Sequence, residues 1–292
     1  MIISVASGKG GTGKTTVAIN LALFLEQHSN KKISFLDCDV EEPNAYIFLK
    51  PEIAKKTSFG IPIPEIDFDK CNYCGRCGEV CAYNAIVVIK KNVLVFPELC
   101  HGCGGCSLLC PQKAITEKDR EIGIIEEGLC GSIEFFQGKL NVGEPMATPL
   151  IKSVKERVAI KNENREADNS VTIIDVPPGT SCPVIEAVKG SDFTILVTES
   201  TPFGLNDLKL AVETLRKLGI PFGVVLNRAG LGDESVKAYC SEENISLIAE
   251  IPYDRNIAVL YSYGIPMLKE GKKYRALFRK IWEYLCHSKI KN

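Results

Sequence analysis

Short apolar runs alternate with helical patterns through most of the chain. The runs of strand length, nearly all apolar, are Ile2–Ala6, Ile33–Leu36, Val171–Ile174, Thr194–Val197, Gly223–Leu226 and Ser246–Ile251. Such runs are typical of strands buried on both faces of a parallel sheet. Helical patterns between them include Thr15–Leu25, Leu205–Leu218 and Ser235–Glu242. The alternation predicts an α/β fold with a mostly parallel sheet flanked by helices.

The alternation stops between residues 60 and 118. This segment opens with the turn-rich stretch Phe59–Pro64 and holds eight of the thirteen cysteines. It also repeats itself, because each cysteine of its first half recurs 29 residues later, at positions 71 and 100, 74 and 103, 77 and 106, and 81 and 110. We interpret it as a duplicated small unit inserted into a loop of a larger domain. The predicted domains are residues 1–59 with 119–292, discontinuous in sequence, and residues 60–118.

A glycine-rich loop follows the first strand and precedes the first helix. Gly8–Thr15 satisfies the pattern G-x-x-x-x-G-K-[ST], whose backbone N–H groups surround phosphate oxygens at a helix N-terminus. Lys14 is expected to reach the β- and γ-phosphates, and the Thr15 hydroxyl to bind Mg²⁺. The predicted ligands are ATP and Mg²⁺; the alternative is a glycine-rich turn without a ligand. The predicted nucleotide-binding residues of the loop are Gly8, Lys9, Gly10, Gly11, Thr12, Gly13, Lys14, Thr15 and Thr16.

The loop contains a second lysine, Lys9. The string Lys9–Thr16 resembles the deviant Walker motif of the family that includes MinD, ParA, the arsenical-pump ATPases and the nitrogenase iron protein. The resemblance implies that Lys9 crosses to the nucleotide of a partner subunit, so that ATP lies between the two faces of a homodimer or of a heterodimer with a paralogue. The alternative interpretation is a solvated lysine on an exposed loop.

Other segments resemble landmarks of the same family, in the expected order. Phe35–Asp39 resembles the entry to switch I, which implies that Asp39 positions the attacking water and acts in catalysis with Lys9 and Lys14. Ile173–Thr180 resembles the Walker B and switch II segment, with Asp175 holding the water shell of the metal. The residues alone leave open whether Asp37 or Asp39 simply caps a loop.

Two later segments resemble the family's base-binding region. Val225–Arg228 follows the fifth strand, and the resemblance implies that Asn227 binds the adenine edge. Ile251–Asp254 is similar to the loop that lines the base. The resemblance covers nearly the whole chain outside the cysteine-rich segment.

The cysteines of the middle segment have the spacing of bacterial ferredoxins, twice. In that arrangement three cysteines of one motif and the fourth of the other bind each [4Fe–4S] cluster. We therefore assign one cluster to Cys71, Cys74, Cys77 and Cys110, and the second to Cys81, Cys100, Cys103 and Cys106. Zinc would instead favour paired C-x₂-C units separated by a wide gap. The first motif departs from the pattern at Ala82, where the second has Pro111, which affects the potential of a cluster more than its existence.

The remaining cysteines are Cys38, Cys130, Cys182, Cys240 and Cys286, for which buried structural thiols are the default expectation. Cys182 lies at the end of switch II, where the nitrogenase iron protein has a ligand to a cluster shared between subunits. The matching upstream cysteine is missing near Asn141–Thr148, so we favour two clusters over three.

Charge and hydrophobicity argue against a nucleic-acid-binding protein and against a membrane-spanning protein. The net charge of −1 provides no overall field toward nucleic acid or an anionic membrane, and no apolar run is long enough to span a bilayer. The first run lacks a basic leader, so we expect a strand and not a signal peptide. We expect a cytoplasmic protein, in whose reducing surroundings thiols bind metal.

An apolar stripe with helical spacing lies near the end of the chain. It consists of Tyr274, Leu277, Phe278, Ile281, Trp282 and Leu285. MinD has an amphipathic membrane anchor at its C-terminus, so a membrane function is one interpretation. We favour packing of this helix against the sheet, without stable membrane association.

These features resemble MinD-superfamily ATPases that contain an inserted ferredoxin domain. Our leading hypothesis is an ATPase in which ATP closes a dimer and thereby gates electron transfer through two [4Fe–4S] clusters to a client protein. A second hypothesis is an assembly factor that inserts clusters or metallocofactors into a client. A third is a positioning ATPase of the MinD kind with the clusters as a redox sensor.

Overall fold

The computed structural model describes residues 1–163 and 169–288. Within these residues, the strands are β1 (Ile2–Ala6), β2 (Lys32–Asp37), β3 (Glu52–Ile66), β4 (Ile86–Ile89), β5 (Asn92–Val95), β6 (Ile115–Cys130), β7 (Ile133–Leu140), β8 (Ser170–Asp175), β9 (Phe193–Glu199), β10 (Phe222–Ala229) and β11 (Leu247–Pro252). The α-helices are α1 (Lys14–His28), α2 (Ala45–Leu49), α3 (Arg76–Val80), α4 (Gly105–Leu108), α5 (Ala147–Glu163), α6 (Cys182–Val188), α7 (Pro202–Leu218), α8 (Ser235–Glu242), α9 (Arg255–Ser262) and α10 (Lys272–Ser288).

Nine strands form one sheet in the order β11-β10-β9-β1-β8-β2-β7-β6-β3. β1 runs parallel to both β8 and β9, and β10 runs parallel to both β9 and β11. β2 is likewise parallel to β8 and β7. The predicted α/β fold with a mostly parallel sheet is confirmed. All six predicted strands and all three predicted helices are present, with ends shifted by a few residues.

Three strands of the sheet, β3, β6 and β7, were not predicted. β3 is the last strand in the order, and its sequence contains Lys55, Lys56, Pro62 and Pro64. Proline is tolerated there because an edge strand leaves one row of N–H groups unpaired. β6 is charged in its first half, from Glu117 to Glu121 in sequence. Neither strand has the all-apolar composition that identified the central strands, since neither is buried on both faces along its length.

The chain divides into two compact units. The first comprises Met1–Lys56, Ile125–Lys139 and Ile151–Asn292, and the second comprises Thr57–Ile124 and Leu140–Leu150. The boundaries at 56/57 and 124/125 fall inside β3 and β6, so these strands contribute residues to both units. By compactness the second unit also includes Leu140–Leu150, a segment that the sequence patterns placed with the larger domain.

The first unit has a large apolar core. α1 contributes Val17, Leu21 and Leu25 to it, and the fully buried Ile3 and Ile173 of β1 and β8 lie in the same cluster. In the second unit, one small apolar cluster consists of Ile86, Val93 and Ile115, and five cysteines pack against it. A cluster of this size provides little hydrophobic stabilisation by itself.

The C-terminal helix α10 packs on the core of the first unit. Tyr274, Phe278, Ile281 and Leu285 are buried in the main apolar cluster, and Trp282 packs partly against it. The expectation of core packing is confirmed. Among the described helices, none combines the length and apolar composition needed to cross a bilayer.

Truncating the fully buried Phe278 tests this packing. We expect Phe278→Ala to lower the free energy of unfolding by about 3–5 kcal/mol, because it leaves a cavity beneath α10. Urea unfolding can be followed by the fluorescence of Trp282, the single tryptophan. As a control, Phe203→Ala removes a phenylalanine that is 78% exposed, and we expect a change within about 0.5 kcal/mol. Unchanged stability of Phe278→Ala, with weaker sedimentation on anionic vesicles, would favour a membrane role for α10.

Candidate functional site

The glycine loop lies at the carboxyl end of the sheet. It connects β1, whose last residue is Ala6, to α1, which begins at Lys14. Gly13 caps α1 with a φ of 95°, a left-handed conformation that strains any residue with a side chain. A Cβ on Gly8 would lie 2.3 Å from the carbonyl oxygen of Asp207 in α7. Glycine is therefore required at these two positions by backbone conformation and by close packing.

A pocket of about 1160 Å³, including space open to solvent, lies beside the loop in the first unit. The predicted site residues that line it are Gly10, Gly11, Gly13, Lys14, Thr15, Thr16, Asp39 and Asn227. Glu42, Asn44, Arg228, Tyr253 and Tyr261 complete much of the wall. Gly8, Lys9, Thr12 and Asp175 belong to the surrounding structure and do not line the pocket.

The Lys14 ammonium lies among buried carboxylates. Its Nζ donates a hydrogen bond of 2.7 Å to Asp39 Oδ2 and lies 3.7 Å from Asp175 Oδ1. Burial alone would lower the pKa of Lys14, but the charges of Asp175 and Asp39 raise it above its usual value. Lys14 therefore carries a positive charge at the floor of the pocket, as a residue that binds phosphate requires.

Asp175 has a buried carboxylate that no neighbour fully satisfies. Burial raises its pKa to about 6, although Lys14 and the Thr15 hydroxyl oppose this rise. Among the described residues, neither oxygen accepts a hydrogen bond of normal geometry. A buried carboxylate without partners is costly. With Asp39 it places two carboxylates around one ammonium, and the remaining negative charge suits Mg²⁺ with its shell of water.

Asp37 and Asp39 have different surroundings. Asp37 is fully buried, and its carboxylate accepts hydrogen bonds from the backbone N–H groups of Asp39, Asn44 and Ala45 at 3.0–3.1 Å. Burial, with the charge of Asp175, raises the pKa of Asp37 to about 8. Asp37 thus holds the loop after β2 in place, whereas Asp39 faces the pocket and Lys14. This geometry favours Asp39 for the water-positioning role and gives Asp37 the capping role.

Lys9 does not point into the pocket of its own chain. Its Nζ donates to Glu199 Oε1 at 2.6 Å, and Arg228 donates to Glu199 Oε2 at 2.7 Å. The Lys9 side chain is 31% exposed and that of Glu199 is 11% exposed. The Lys9 ammonium is therefore held in an ion pair and is not freely solvated.

Asn227 lies between the glycine loop and its own strand end. Its Nδ2 donates to the Thr12 carbonyl at 2.7 Å, and its Oδ1 accepts from the Arg228 N–H at 2.9 Å. Asn227 lines the pocket, and its amide has a second N–H and a second lone pair, so the predicted contact with adenine does not require these partners to be exchanged. That contact stays a prediction.

The sequence repeat of the second unit is also a repeat of backbone geometry. Residues with positive φ recur with the same 29-residue shift: 73 and 102, 75 and 104, and 84 and 113. Cys81 Sγ accepts the Ala85 N–H at 3.2 Å, and Cys110 Sγ accepts the Ala114 N–H at 3.3 Å. The β4–β5 hairpin lies between the two motifs.

The cysteines line two separate cavities, and each cavity takes its fourth cysteine from the other motif. Cys71, Cys74, Cys77 and Cys110 line one cavity of about 360 Å³, and Cys81, Cys100, Cys103 and Cys106 line another of about 420 Å³. Both volumes include space open to solvent. The structure thus brings together the two sets of four that the ferredoxin spacing predicts, although it does not test whether they bind clusters.

The donor set of each cavity is four thiols, which is the ligand set of a [4Fe–4S] cluster. Among the described residues, no three His, Cys, Asp or Glu side chains are arranged to hold one metal ion. In a cubane each thiolate binds a different iron, so its ligands stand farther apart than ligands around one ion. Burial raises the pKa of Cys77 and Cys106, but backbone N–H groups at Gly78 and Ser107 donate to these sulfurs and oppose the rise. Such donors stabilise the thiolate form that binds iron.

The remaining cysteines do not share one environment. Cys38 and Cys240 are buried, as expected, and Cys130 and Cys286 are half-buried. The expectation of a buried thiol is wrong for Cys182, which is exposed because it begins α6 after the switch II segment.

The sequence motifs missed Glu199. It is the last residue of β9, a strand that lies next to β1, and it pairs in register with Asn227 of β10. Polar residues at the carboxyl ends of central parallel strands surround the ligand site in open α/β sheets. Glu199 lies two residues after the predicted strand Thr194–Val197, and this position was the signal that could have identified it.

Comparisons with known proteins identify the fold and the family of this chain. The uncharacterized protein MJ0579 of Methanocaldococcus jannaschii is 33% identical over 271 residues, 92% of this chain and 92% of that protein. The cytosolic Fe-S cluster assembly factor NUBP2 homolog of Dictyostelium discoideum is 23% identical over 293 residues, 92% of this chain and 86% of that protein. The septum site-determining protein MinD of Pyrococcus horikoshii OT3, complexed with Mg-ADP, has the same fold, with a TM-score of 0.60 and 21% identity over 97% of this chain and 95% of that chain.

The model of the CobQ/CobB/MinD/ParA nucleotide binding domain matches residues 3–267, most of the chain. The expected α/β fold of a P-loop nucleotide-binding protein is therefore confirmed. This chain belongs to the CobQ/CobB/MinD/ParA family of nucleotide-binding proteins.

Proposed function

We propose that this protein is an iron–sulfur ATPase, in which an ATP-dependent dimer gates electron transfer through two [4Fe–4S] clusters to a partner protein. The observation that carries the proposal is the pair of cavities in the second unit, each lined by four cysteines of the same chain. The dimer is a homodimer or a heterodimer with a paralogue.

The ATP part of the proposal rests on the charges of the pocket. Lys14 would bind the β- and γ-phosphates, and Thr15 with Asp175 would hold Mg²⁺ and its water shell. Asp39 would orient the attacking water, since its carboxylate faces the pocket next to Lys14. Lys9 would reach the nucleotide of the partner subunit in the closed dimer.

The redox part rests on complete sets of ligands. When bound, a [4Fe–4S] cluster supplies one-electron transfer. Four cysteines of a single chain around each cavity, with N–H donors to their sulfurs, favour clusters that are held stably. Stable retention suits an electron carrier, because a protein that delivers clusters must release them.

A second candidate function is the assembly or insertion of clusters. It is favoured by the relative from Dictyostelium discoideum, whose name describes a cytosolic Fe-S cluster assembly factor. Incubation with an apo-acceptor protein and a mild chelator separates the two candidates. An electron carrier retains its iron, whereas a delivery protein loses it to the acceptor.

The two lysines of the glycine loop should have separable roles. We expect Lys14→Ala to weaken ATP binding at least about thirtyfold, because it removes the buried charge that faces the phosphates. Lys9→Ala should bind ATP within about threefold of wild type but lose hydrolysis and ATP-driven dimerisation. Nucleotide titration, phosphate release and analytical ultracentrifugation with a slowly hydrolysed analogue measure these effects.

A suitable control is Lys217→Ala, which changes a side chain that is 74% exposed on α7. It should match wild type in all three measurements. Equal dimerisation of wild type and Lys9→Ala would contradict the sandwich dimer.

The aspartates after β2 should differ in the same way. Asp39→Asn keeps the shape of the side chain but removes the charge, so turnover should fall by about 10² or more while ATP binding survives. Asp37→Asn should instead lower the free energy of unfolding by about 1–3 kcal/mol, because Asp37 accepts three backbone hydrogen bonds. Steady-state hydrolysis and urea unfolding distinguish these effects. An inactive but stable Asp37→Asn, beside a normally active Asp39→Asn, would show that the two roles are reversed.

The interleaved ligand sets predict which cluster each cysteine affects. Anaerobically purified protein should hold about eight iron and eight sulfide per chain. Cys110→Ala should perturb the cluster of Cys71, Cys74 and Cys77, because it lines their cavity, and Cys81→Ala should perturb the other. Redox titration monitored by electron paramagnetic resonance identifies the altered signal.

Cys182→Ala is the matched control, because this exposed thiol lies outside both cavities and should leave the iron content unchanged. If Cys110→Ala spares the first cluster and removes only the second, each motif binds its own cluster. Stoichiometric zinc in place of iron would exclude the redox function.

A further inference from the structure

Glu199 is a nearly buried carboxylate that binds two cations at once. Lys9 occupies one of its oxygens at 2.6 Å and Arg228 occupies the other at 2.7 Å. The two cations are more exposed than the carboxylate, with 31% of the Lys9 side chain and 49% of the Arg228 side chain accessible against 11% for Glu199. The anion is therefore the fixed member of the group, and the cations approach it from the surface.

The backbone around Glu199 explains why it is fixed. Glu199 ends β9, with β1 on one side and β10 on the other. Its carbonyl oxygen accepts the Thr201 N–H at 2.8 Å, and a Cβ on Gly204 would lie 2.4 Å from this oxygen. α7 thus begins directly against the end of β9. Arg228 is also constrained, since its φ is 53° and its guanidinium donates to the Gly11 carbonyl at 3.2 Å.

We propose that Glu199 is a positioning residue that tethers Lys9 within its own protomer, and that Arg228 makes release of Lys9 possible. The inference rests on the proposed function, in which Lys9 crosses to the nucleotide of a second copy of this chain. Lys9 has to leave Glu199 before it can cross. The strength of this ion pair therefore opposes dimerisation and sets the protein concentration at which ATP closes the dimer.

Arg228 has the opposite effect on the same equilibrium. A buried carboxylate that loses its only cation is strongly destabilised. Because Arg228 stays on the second oxygen, Glu199 keeps one cation after Lys9 departs. Arg228 also contacts the glycine loop at Gly11 and lines the nucleotide pocket, so it connects the tether to the nucleotide site.

The tether can be tested on Lys9 directly, without dimerisation. Nucleotide-free protein at low concentration is treated anaerobically with an amine-reactive acetylating reagent, and modification of Lys9 is followed by peptide mass spectrometry. Glu199→Gln should increase the rate at Lys9 about fivefold or more, because the amine no longer lies against a carboxylate. Arg228→Met should decrease this rate, since Lys9 then becomes the sole cation on Glu199.

Glu213→Gln is the matched control, because Glu213 pairs with the exposed Lys217 on α7. It should leave the rate at Lys9 unchanged. An unchanged rate in Glu199→Gln would overturn the tether.

The effect on assembly is measured by analytical ultracentrifugation at a saturating concentration of a slowly hydrolysed ATP analogue, after the nucleotide affinity of each variant has been determined. Glu199→Gln should form dimers at a protein concentration about fivefold lower than wild type, and Arg228→Met should require a higher concentration than wild type. The double variant Lys9→Ala with Glu199→Gln should behave like Lys9→Ala alone, because the tether acts only through Lys9.

The outcomes separate the inference from the function on which it rests. Two results would overturn the role of Glu199 as a tether. One is weaker dimerisation of Glu199→Gln than of wild type. The other is an increase in dimerisation by Glu199→Gln that is equally large when Lys9 has been replaced by alanine. If Lys9 is acetylated faster in Glu199→Gln but no variant forms a nucleotide-dependent dimer, the tether is supported and the sandwich dimer of the proposed function is excluded.

Discussion

The nucleotide site depends on one buried ammonium placed among three buried carboxylates. Lys14 contacts Asp39 directly and lies close to Asp175, while Asp37 lies behind them. Without a positive charge nearby, burying three ionised carboxylates would cost a prohibitive amount of free energy. Burial already raises the pKa of Asp37 and Asp175 and so favours their protonated forms. The surrounding elements are arranged to hold this group, because the adjacent strands β2 and β8 end in Asp37 and Asp175, and β1, on the other side of β8, leads into the loop that ends at Lys14. ATP and Mg²⁺ would add the negative charge of a triphosphate and a divalent cation to the same site.

The residues at this site divide into those recognisable by local pattern and those that are not. The glycine loop was predictable because a phosphate-binding turn requires particular residues at fixed spacing, as the close contact of Gly8 with Asp207 shows. The central strands were predictable because strands that are buried on both faces require runs of apolar residues. Glu199 was harder to identify, because its position near the end of a predicted strand marks only a candidate, and its contacts with Lys9 and Arg228 exist only in the folded chain. Likewise, the separate roles of Asp37 and Asp39 depend on which backbone N–H groups surround each carboxylate.

The edge of the sheet was the least predictable part of the fold. β3 and β6 are fifteen and sixteen residues long. Both carry charged residues and β3 also carries two prolines, so their sequences have neither the alternation of a half-buried strand nor the composition of a buried one. Their environment changes along their length, because each contributes residues to both compact units. Leu140–Leu150 belongs to the second unit although it lies outside the cysteine-rich segment, and only the packing of the folded chain reveals this.

The second unit follows a different physical principle from the first. One of its apolar clusters contains three buried residues with cysteines packed around them, and covalent bonds from iron would add stabilisation there. The interleaving would make this stabilisation cooperative. Since each cavity draws cysteines from both motifs, a cluster in either cavity would connect the two halves of the repeat. If each motif bound its own cluster, the repeat could lose one half and keep the other. In the interleaved arrangement, the loss of Cys81 or Cys110 would weaken the binding of a cluster and also the fold of the whole unit. With clusters bound, the exchange of the fourth ligand would therefore constrain folding as well as redox chemistry.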